Sequence, residues 1–252
     1  TDNQKTTKTN RKGIFKLIID VSDTAIYCFK PGKSEVIIPK LKTQSQHSIE
    51  INFWLSRKMQ YQARKPVIYL YSEDSMNFEA NLTTTGNLTF AFPQLDEGNW
   101  KGTVSGSKIL VNKNSYPYLF WESNNDNLAF QSNNGVVESA YQINTDTVNS
   151  FLENVLSQYG LNETETTDFI TYWGPELQQA NWARIQFVQD SDYNEMLGSL
   201  TVTPQPKNQL RLFMLFESSS EFNPWFVCTP SNVEPVSRTG FTLIEWGGAN
   251  IS

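Results

Sequence analysis

Residues 146–160 read DTVNSFLENVLSQYG, and their periodicity decides the class of fold. Apolar side chains fall at Val148, Phe151, Leu152, Val155, Leu156 and Tyr159, which lays one stripe along an α-helix. Asp146 is placed to cap its start, and Gly160 to end it in the left-handed conformation. A second helix follows at once. Asn162 and Glu165 have capping-box spacing, Phe169, Ile170 and Trp173 form a buried face, and Gly174-Pro175 is expected to stop it. Two helices this close in sequence make a helical hairpin.

Upstream of that hairpin the chain reads as strand. Val67–Tyr71 (VIYLY) has no polar side, the mark of a strand buried on both faces. Phe15–Val21, Ala25–Phe29, Glu35–Ile38 and the alternating Ser48–Leu55 precede it. Phe78–Leu82, Leu88–Phe92, Asn99–Val104, Ile109–Val111 and Tyr118–Trp121 follow, separated by Gly- and Asn-containing turns. Strands return after the hairpin at Arg184–Val188, Ser199–Thr203, Leu210–Phe216 and Phe241–Trp246. The expected fold class is therefore α+β. A polar leader over 1–12, with no hydrophobe and expected to be flexible, precedes a β-rich part over 13–145, a sandwich or rolled sheet. An α+β part with the helical hairpin fills 146–252.

The 252 residues include 33 aromatics, which is ample for a core and excludes global disorder. Charged residues are only 18%, while Ser, Thr, Asn and Gln number 84, a surface typical of proteins outside the cytoplasm. No apolar run is long enough for a transmembrane helix. Thr1 is neither an initiator nor a lipid-bearing Cys, so processing or trimming upstream is expected. The net charge of −6 hides an asymmetry: residues 1–65 hold 13 Lys/Arg and five acids, net +8, and the remainder carries −14. The first reading is a basic segment whose residues 13–65 pack on the acidic body of the same chain. The second is an arm for an anionic partner. Nucleic acid is disfavoured, because the acidic body repels phosphate and no recognition motif is present.

Cys28 and Cys228 fit no metal-ligand spacing. They form a disulfide only if the fold brings them together, and two separate buried thiols are the plainer reading. His47 is the only histidine and lies in a polar stretch, so no His-based zinc site or serine triad is expected.

Several stretches carry a resemblance. They are Arg64–Tyr71 (RKPVIYLY), Gly98-Asn99-Trp100, Tyr118–Glu122 (YLFWE), Phe151-Leu152-Glu153, Gly160–Glu163, Asp168–Trp173 (DFITYW), Arg211–Met214 and Gly240–Gly248 (GFTLIEWGG). Over residues 64–248 the chain resembles an uncharacterised, mostly bacterial family with the pattern KPVIYLYP…YLFWE…EFIVYW…GFTVVEWGG. Ser72 departs from it, standing where the family has Pro, and residues 1–63 lie outside it. The resemblance implies a domain and no reaction.

Two carboxylates adjoin tryptophans, at Trp121-Glu122 and Glu245-Trp246. A glycosidase needs such paired acids, and sugars stack on aromatic rings, so Glu122 and Glu245 are the catalytic candidates of an enzyme reading. Trp121, Trp173, Trp246 and Arg211 are the ligand-binding candidates. Neighbours along a strand point to opposite faces, so Trp inward and Glu outward is the plainer reading of both pairs. Arg211, in the otherwise apolar LRLFMLF, either pairs with a buried acid such as Glu245 or points outward on an edge, and structural pairing is expected rather than anion binding. Asp190, Asp192, Asn194 and Glu195 begin like a calcium loop, but Glu195 and Thr201 fall where Gly and Glu are needed. A polar turn leading into a short helix is expected there, and no metal site. No phosphate-binding glycine loop is present, and no cofactor is expected. Three triplets, at Asp23, Asp74 and Asp146, resemble acceptors of bacterial periplasmic O-glycosylation.

The expected function is a non-enzymatic, secreted or surface-tethered interaction protein. It would be a lipoprotein-like subunit of a bacterial cell-envelope assembly at the outer membrane, with protein partners. The alternative is a carbohydrate-binding or carbohydrate-active protein using the Trp-flanked carboxylates. A third reading is a cytoplasmic protein with a basic arm.

Overall fold

The computed structural model describes residues 5–19, 25–28, 36–39, 51, 60–126, 128–133 and 136–252. Its contacts gather into two units, residues 1–59 and 60–252. In the first, β1 (Ala25–Cys28) and β2 (Val36–Pro39) pair antiparallel, with Ala25 opposite Pro39. The strand expected at Phe15–Val21 is not formed over residues 14–19, which belong to no ladder. They follow a turn in which Gly13 N–H donates to Asn10 O at 2.9 Å and Asn10 N–H to Ile14 O at 2.8 Å. The expected strand Ser48–Leu55, apart from Ile51, and His47 lie outside the described residues.

The second unit runs β3 (Gln60–Thr84), β4 (Asn87–Phe92), β5 (Asn99–Gly106), β6 (Lys108–Val111), β7 (Asn114–Tyr116), β8 (Leu119–Asp126), β9 (Ser132–Asn133), β10 (Val136–Val137), β11 (Ala140–Asn144), α1 (Val148–Tyr159), α2 (Glu163–Leu177), β12 (Trp182–Gln189), α3 (Asp190–Leu197), β13 (Gly198–Thr203), β14 (Asn208–Ser219) and β15 (Thr242–Asn250). The 25-residue β3 organises it. At about 3.3 Å per residue such a strand outruns any single layer. It changes register between Ala63 and Val67, where Lys65 takes a φ of 57°, and again between Ser72 and Met76. Its first half is interior to a mixed sheet of order β11-β12-β14-β15-β3-β8-β4, in which only β14 and β15 run parallel. Its second half is interior to an antiparallel sheet of order β13-β3-β5-β6-β7. The runs Val67–Tyr71 and Phe78–Leu82, read from sequence as separate strands, are two halves of one.

Period-two alternation then sorts the core into two clusters. Val67 and Tyr69, with Ile185, Leu212, Met214, Ile244 and Trp246, point to α1 and α2 and meet Leu152, Leu156, Phe169 and Trp173. Ile68 and Leu70, with Leu119, Trp121, Phe213 and Leu243, point the other way onto Phe78, Trp100, Val104 and Ile109 of the second sheet. The layers are therefore helices, mixed sheet, antiparallel sheet, which is an α+β fold. The change of period at Asp146 marks a change of element within this unit, since strands from both sides of it share the mixed sheet.

The helical hairpin forms with two corrections at its ends. Asp146 is not the cap of α1. Thr147 occupies that place without a side-chain bond, after a 3-10 turn, Thr145–Thr147, that is capped by Asn144. Pro175 does not end α2, which continues to Leu177 because Trp173 and Leu177 are both anchored in the core. Gly160 does close α1 at φ 84°, and Asn162 with Glu165 forms the full capping box.

Candidate binding surface

Two of the residues singled out as binding candidates, Arg211 and Trp121, meet Glu245 in a buried knot. Arg211 on β14 stands opposite Glu245 on β15 in the parallel register, and both point toward the antiparallel sheet. Arg211 Nε donates to Glu245 Oε2 at 2.5 Å. Glu245 Oε1 accepts from Trp121 Nε1 at 2.8 Å and from the Tyr193 hydroxyl at 3.0 Å. Arg211 Nη1 donates to Asn194 Oδ1 and, at 2.8 Å, to Gly198 O. Its guanidinium lies 4.1 Å from the centroid of the Tyr193 ring. Burial pushes the Tyr193 phenol well above its ordinary value, and the Glu245 charge adds to this. For Arg211, burial works against the charge, but Glu245 and Tyr193 outweigh it and hold the guanidinium more basic than usual.

This geometry pairs the two charges inside a core with neither side chain reaching solvent, and of the guanidinium nitrogens only Nη2 is left without a partner. The pairing of Arg211 with Glu245 is the one the sequence suggested. The outward Glu expected at Glu245-Trp246 is not found: β15 is covered on both faces, so both side chains are buried. At the other pair Trp121 is buried, while Glu122 is half-buried and accepts from Gln62 Nε2 at 3.3 Å. Trp121 shares its face of the sheet with Glu245, so Glu122 points to the opposite face. A sheet lies between the two candidate carboxylates. Trp173 of α2 and Trp246 of β15 are buried where the helices meet the sheet, and none of the three tryptophans offers a ring face to a ligand. Asp190, Asp192, Asn194 and Glu195 lie on α3, the short helix expected there, where Asn194 serves the knot.

A second charged cluster fixes the crossover from β14 to β15. Arg238 donates from Nη1 to Glu165 Oε1 at 2.9 Å and from Nη2 to Glu165 Oε2 and Gly160 O, each at 2.5 Å. The Tyr71 hydroxyl donates to Glu165 Oε1 at 2.6 Å, and the Tyr69 hydroxyl to Asp168 Oδ2 at 2.7 Å. Burial, then the neighbouring carboxylates, raises both phenols. Ser231 joins in, its N–H donating to the Tyr141 hydroxyl at 2.9 Å.

The same crossover carries the site that sequence reasoning missed. Residues 222–227 read FNPWFV. Gln142 on β11 clamps the backbone of Asn223 from both sides, its Oε1 accepting from the N–H at 3.0 Å and its Nε2 donating to the carbonyl at 3.1 Å. Trp225 N–H donates to Asn223 Oδ1 at 2.9 Å, and Phe226 N–H to Asn223 O at 3.2 Å, closing a turn. Phe226 packs on Phe130 and lies beneath the Arg184 guanidinium, while Phe222 packs on Trp182. Thr229 then pairs with Val137 and Ala140. At the head of this pinned turn the Trp225 side chain is 87% exposed. The Asn-Pro dipeptide signals the turn in the sequence, but nothing local says that the ring is left outside.

No family model matches the chain, and no curated protein or solved structure is detectably similar to it. Cys28 and Cys228 are both free, half-buried thiols, and burial pushes the Cys228 thiol up. Among the described residues no helix is long and apolar enough to cross a membrane, and no group of His, Cys, Asp and Glu is set to hold a metal.

Proposed function

We propose that the protein is a non-catalytic interaction protein acting outside the cytoplasm, as a subunit of a bacterial cell-envelope assembly, with Trp225 as its binding anchor. The observation that carries this is the nearly full exposure of Trp225 on a turn held by the Gln142 clamp. Leaving an indole in water forgoes a large apolar burial, and tryptophan is one of the residues enriched among the anchors of protein interfaces. Preorganisation lowers the ordering cost of binding. The weakly charged surface and the acceptor-like triplets support an extracytoplasmic place, and the separation of Glu122 from Glu245 weighs against two-carboxylate hydrolysis.

The test is affinity purification of the tagged full chain from native membranes, beside Trp225→Ala. A partner retained by the native chain and lost with the variant is expected. Equal retention overturns the assignment, as does hydrolysis of a glycan panel that Glu245→Gln abolishes without unfolding. The open ring of Trp225 also favours a second reading, stacking on a sugar. On a glycan array this gives binding that survives Trp225→Phe and is lost in Trp225→Ala.

A further inference from the structure

The helical layer is narrower than the sheet it covers. Tyr141 on β11 packs on Phe151 of α1, and Phe187 on β12 packs on Tyr159 of the same helix. Phe216 on β14 packs on Trp173 of α2, Trp246 on β15 packs on Phe169, and Tyr69 on β3 reaches Asp168. The two helices thus cover the sheet from β11 to β3. A helix is about 10 Å across and strands are about 4.8 Å apart, so one helix covers roughly two strands. Beyond α2, among the described residues of this unit, remain β8, whose Phe120 still touches the edge of the helix-facing core, and β4.

The face they present is aromatic. In the ladder Phe92 stands opposite Phe120, and Phe90 opposite Glu122, so Phe90, Phe92 and Phe120 share the helix-side face. Phe90 packs edge-on to Phe120 at 5.8 Å, and Phe92 to Tyr116 at 5.4 Å. Phe90 is 52% and Phe92 50% exposed. At the inner border Lys65 Nζ lies over both the Tyr118 ring of the sheet side and the Tyr172 ring of α2, so α2 forms a wall beside this shelf.

We propose that this shelf receives one amphipathic helix of a partner protein, lying beside α2 as a third helix of the layer. The inference concerns a surface distinct from Trp225 and stands without it. Three features select a helix. The uncovered width is that of one helix, and the wall is itself a helix. Strand addition at β4 is opposed by the register shift between Leu88 and Phe90 and by Pro93, which follows the strand. A second copy of the chain is opposed by area. Each half-exposed ring offers on the order of 100 Å², so the shelf supplies a few hundred, short of the roughly 800 Å² per partner of a stable dimer. The apolar stripe of a single helix matches it.

The experiment displays a library of 15-residue peptides, half designed with apolar residues at helical spacing and half with strict alternation, against the full chain. Enrichment of the helical half is expected. The selected peptides should bind the native chain and Trp225→Ala equally, and bind Phe90→Ser and Phe92→Ser at least tenfold more weakly. Circular dichroism and melting confirm that the variants stay folded, and Phe90→Leu should retain most of the binding. Enrichment of the alternating half, no enrichment of either, or affinity indifferent to Phe90 and Phe92 overturns the proposal. A dimer in sedimentation that Phe90→Ser dissociates overturns it in favour of a second copy.

Discussion

Arg211 and Glu245 face each other across neighbouring parallel strands, Nε 2.5 Å from Oε2, with neither side chain reaching solvent. Each of Glu245's oxygens is used, by Arg211 on one side and by Trp121 and Tyr193 on the other. The pair therefore ties β14, β15, β8 and α3 together. Removing one partner leaves the other charge buried and uncompensated, at a cost of about 3–5 kcal/mol. Arg211→Met and Glu245→Gln should each lower stability by that order in urea unfolding. The double variant should lose less than the sum of the two, and a cycle that closes additively would show that the charges do not interact.

The Glu165–Arg238 contact holds the crossover to the helical hairpin. Glu165 is fully buried and Arg238 half-buried, and Arg238 also caps the carbonyl of Gly160. Arg238→Met should cost roughly 1–3 kcal/mol, the penalty of leaving hydrogen-bonding groups unmet. Limited proteolysis should then cut residues 220–240 sooner, while β14 and β15 stay intact. Unchanged cleavage rates would mean that the backbone bonds of Val236 and Thr229 hold the crossover unaided.

Alkaline unfolding is expected from the buried phenols. Burial pushes Tyr159 from 10.0 up to about 12, and Tyr69, Tyr71 and Tyr172 are raised for the same leading reason. A phenol whose folded value lies above its unfolded one binds its proton more tightly in the fold. Its contribution is complete below pH 10 and is lost as pH rises through about 12. Denaturant melts should show stability falling across that window, and the phenolate absorbance of these residues should rise with unfolding, not ahead of it. Tyr159→Phe should make the fall shallower.

Gly248 marks a close approach. A Cβ there would stand 2.7 Å from Trp173 Cζ2 and 2.9 Å from Met214 O, and the indole, buried under α2, has little room to withdraw. Gly248→Ala should destabilise by about 1–3 kcal/mol through overpacking, read as a lowered melting temperature. Trp173→Phe in the same chain should recover part of the loss by vacating that space.

The stripe from Val148 to Tyr159, the capping box at Asn162 and Glu165, the left-handed Gly160 and the doubly buried Val67–Tyr71 were all legible, because each depends on residues within one or two turns of one another. The end of α2 was not. Pro175 argues locally for a stop, and the burial of Trp173 and Leu177 overrides it. Nor was the continuity of β3, whose polar middle, Ser72–Ser75, interrupts the two apolar runs and is the stretch where one strand passes from one sheet to the other.

Sequence by itself determined the α+β class and most element types, and it suggested a buried acid such as Glu245 for Arg211, because a charge in an apolar strand is costly unless it is paired. Tertiary structure alone decided which aromatics meet water. Trp121, Trp173 and Trp246 stood out in the sequence and lie inside, while Trp225, Phe90 and Phe92 lie outside. Exposure is set by where neighbouring layers end: two helices against a wider sheet, and a turn clamped by Gln142 from a strand some eighty positions away. No local pattern encodes the width of a layer, so the binding surface appears only once the layers are assembled.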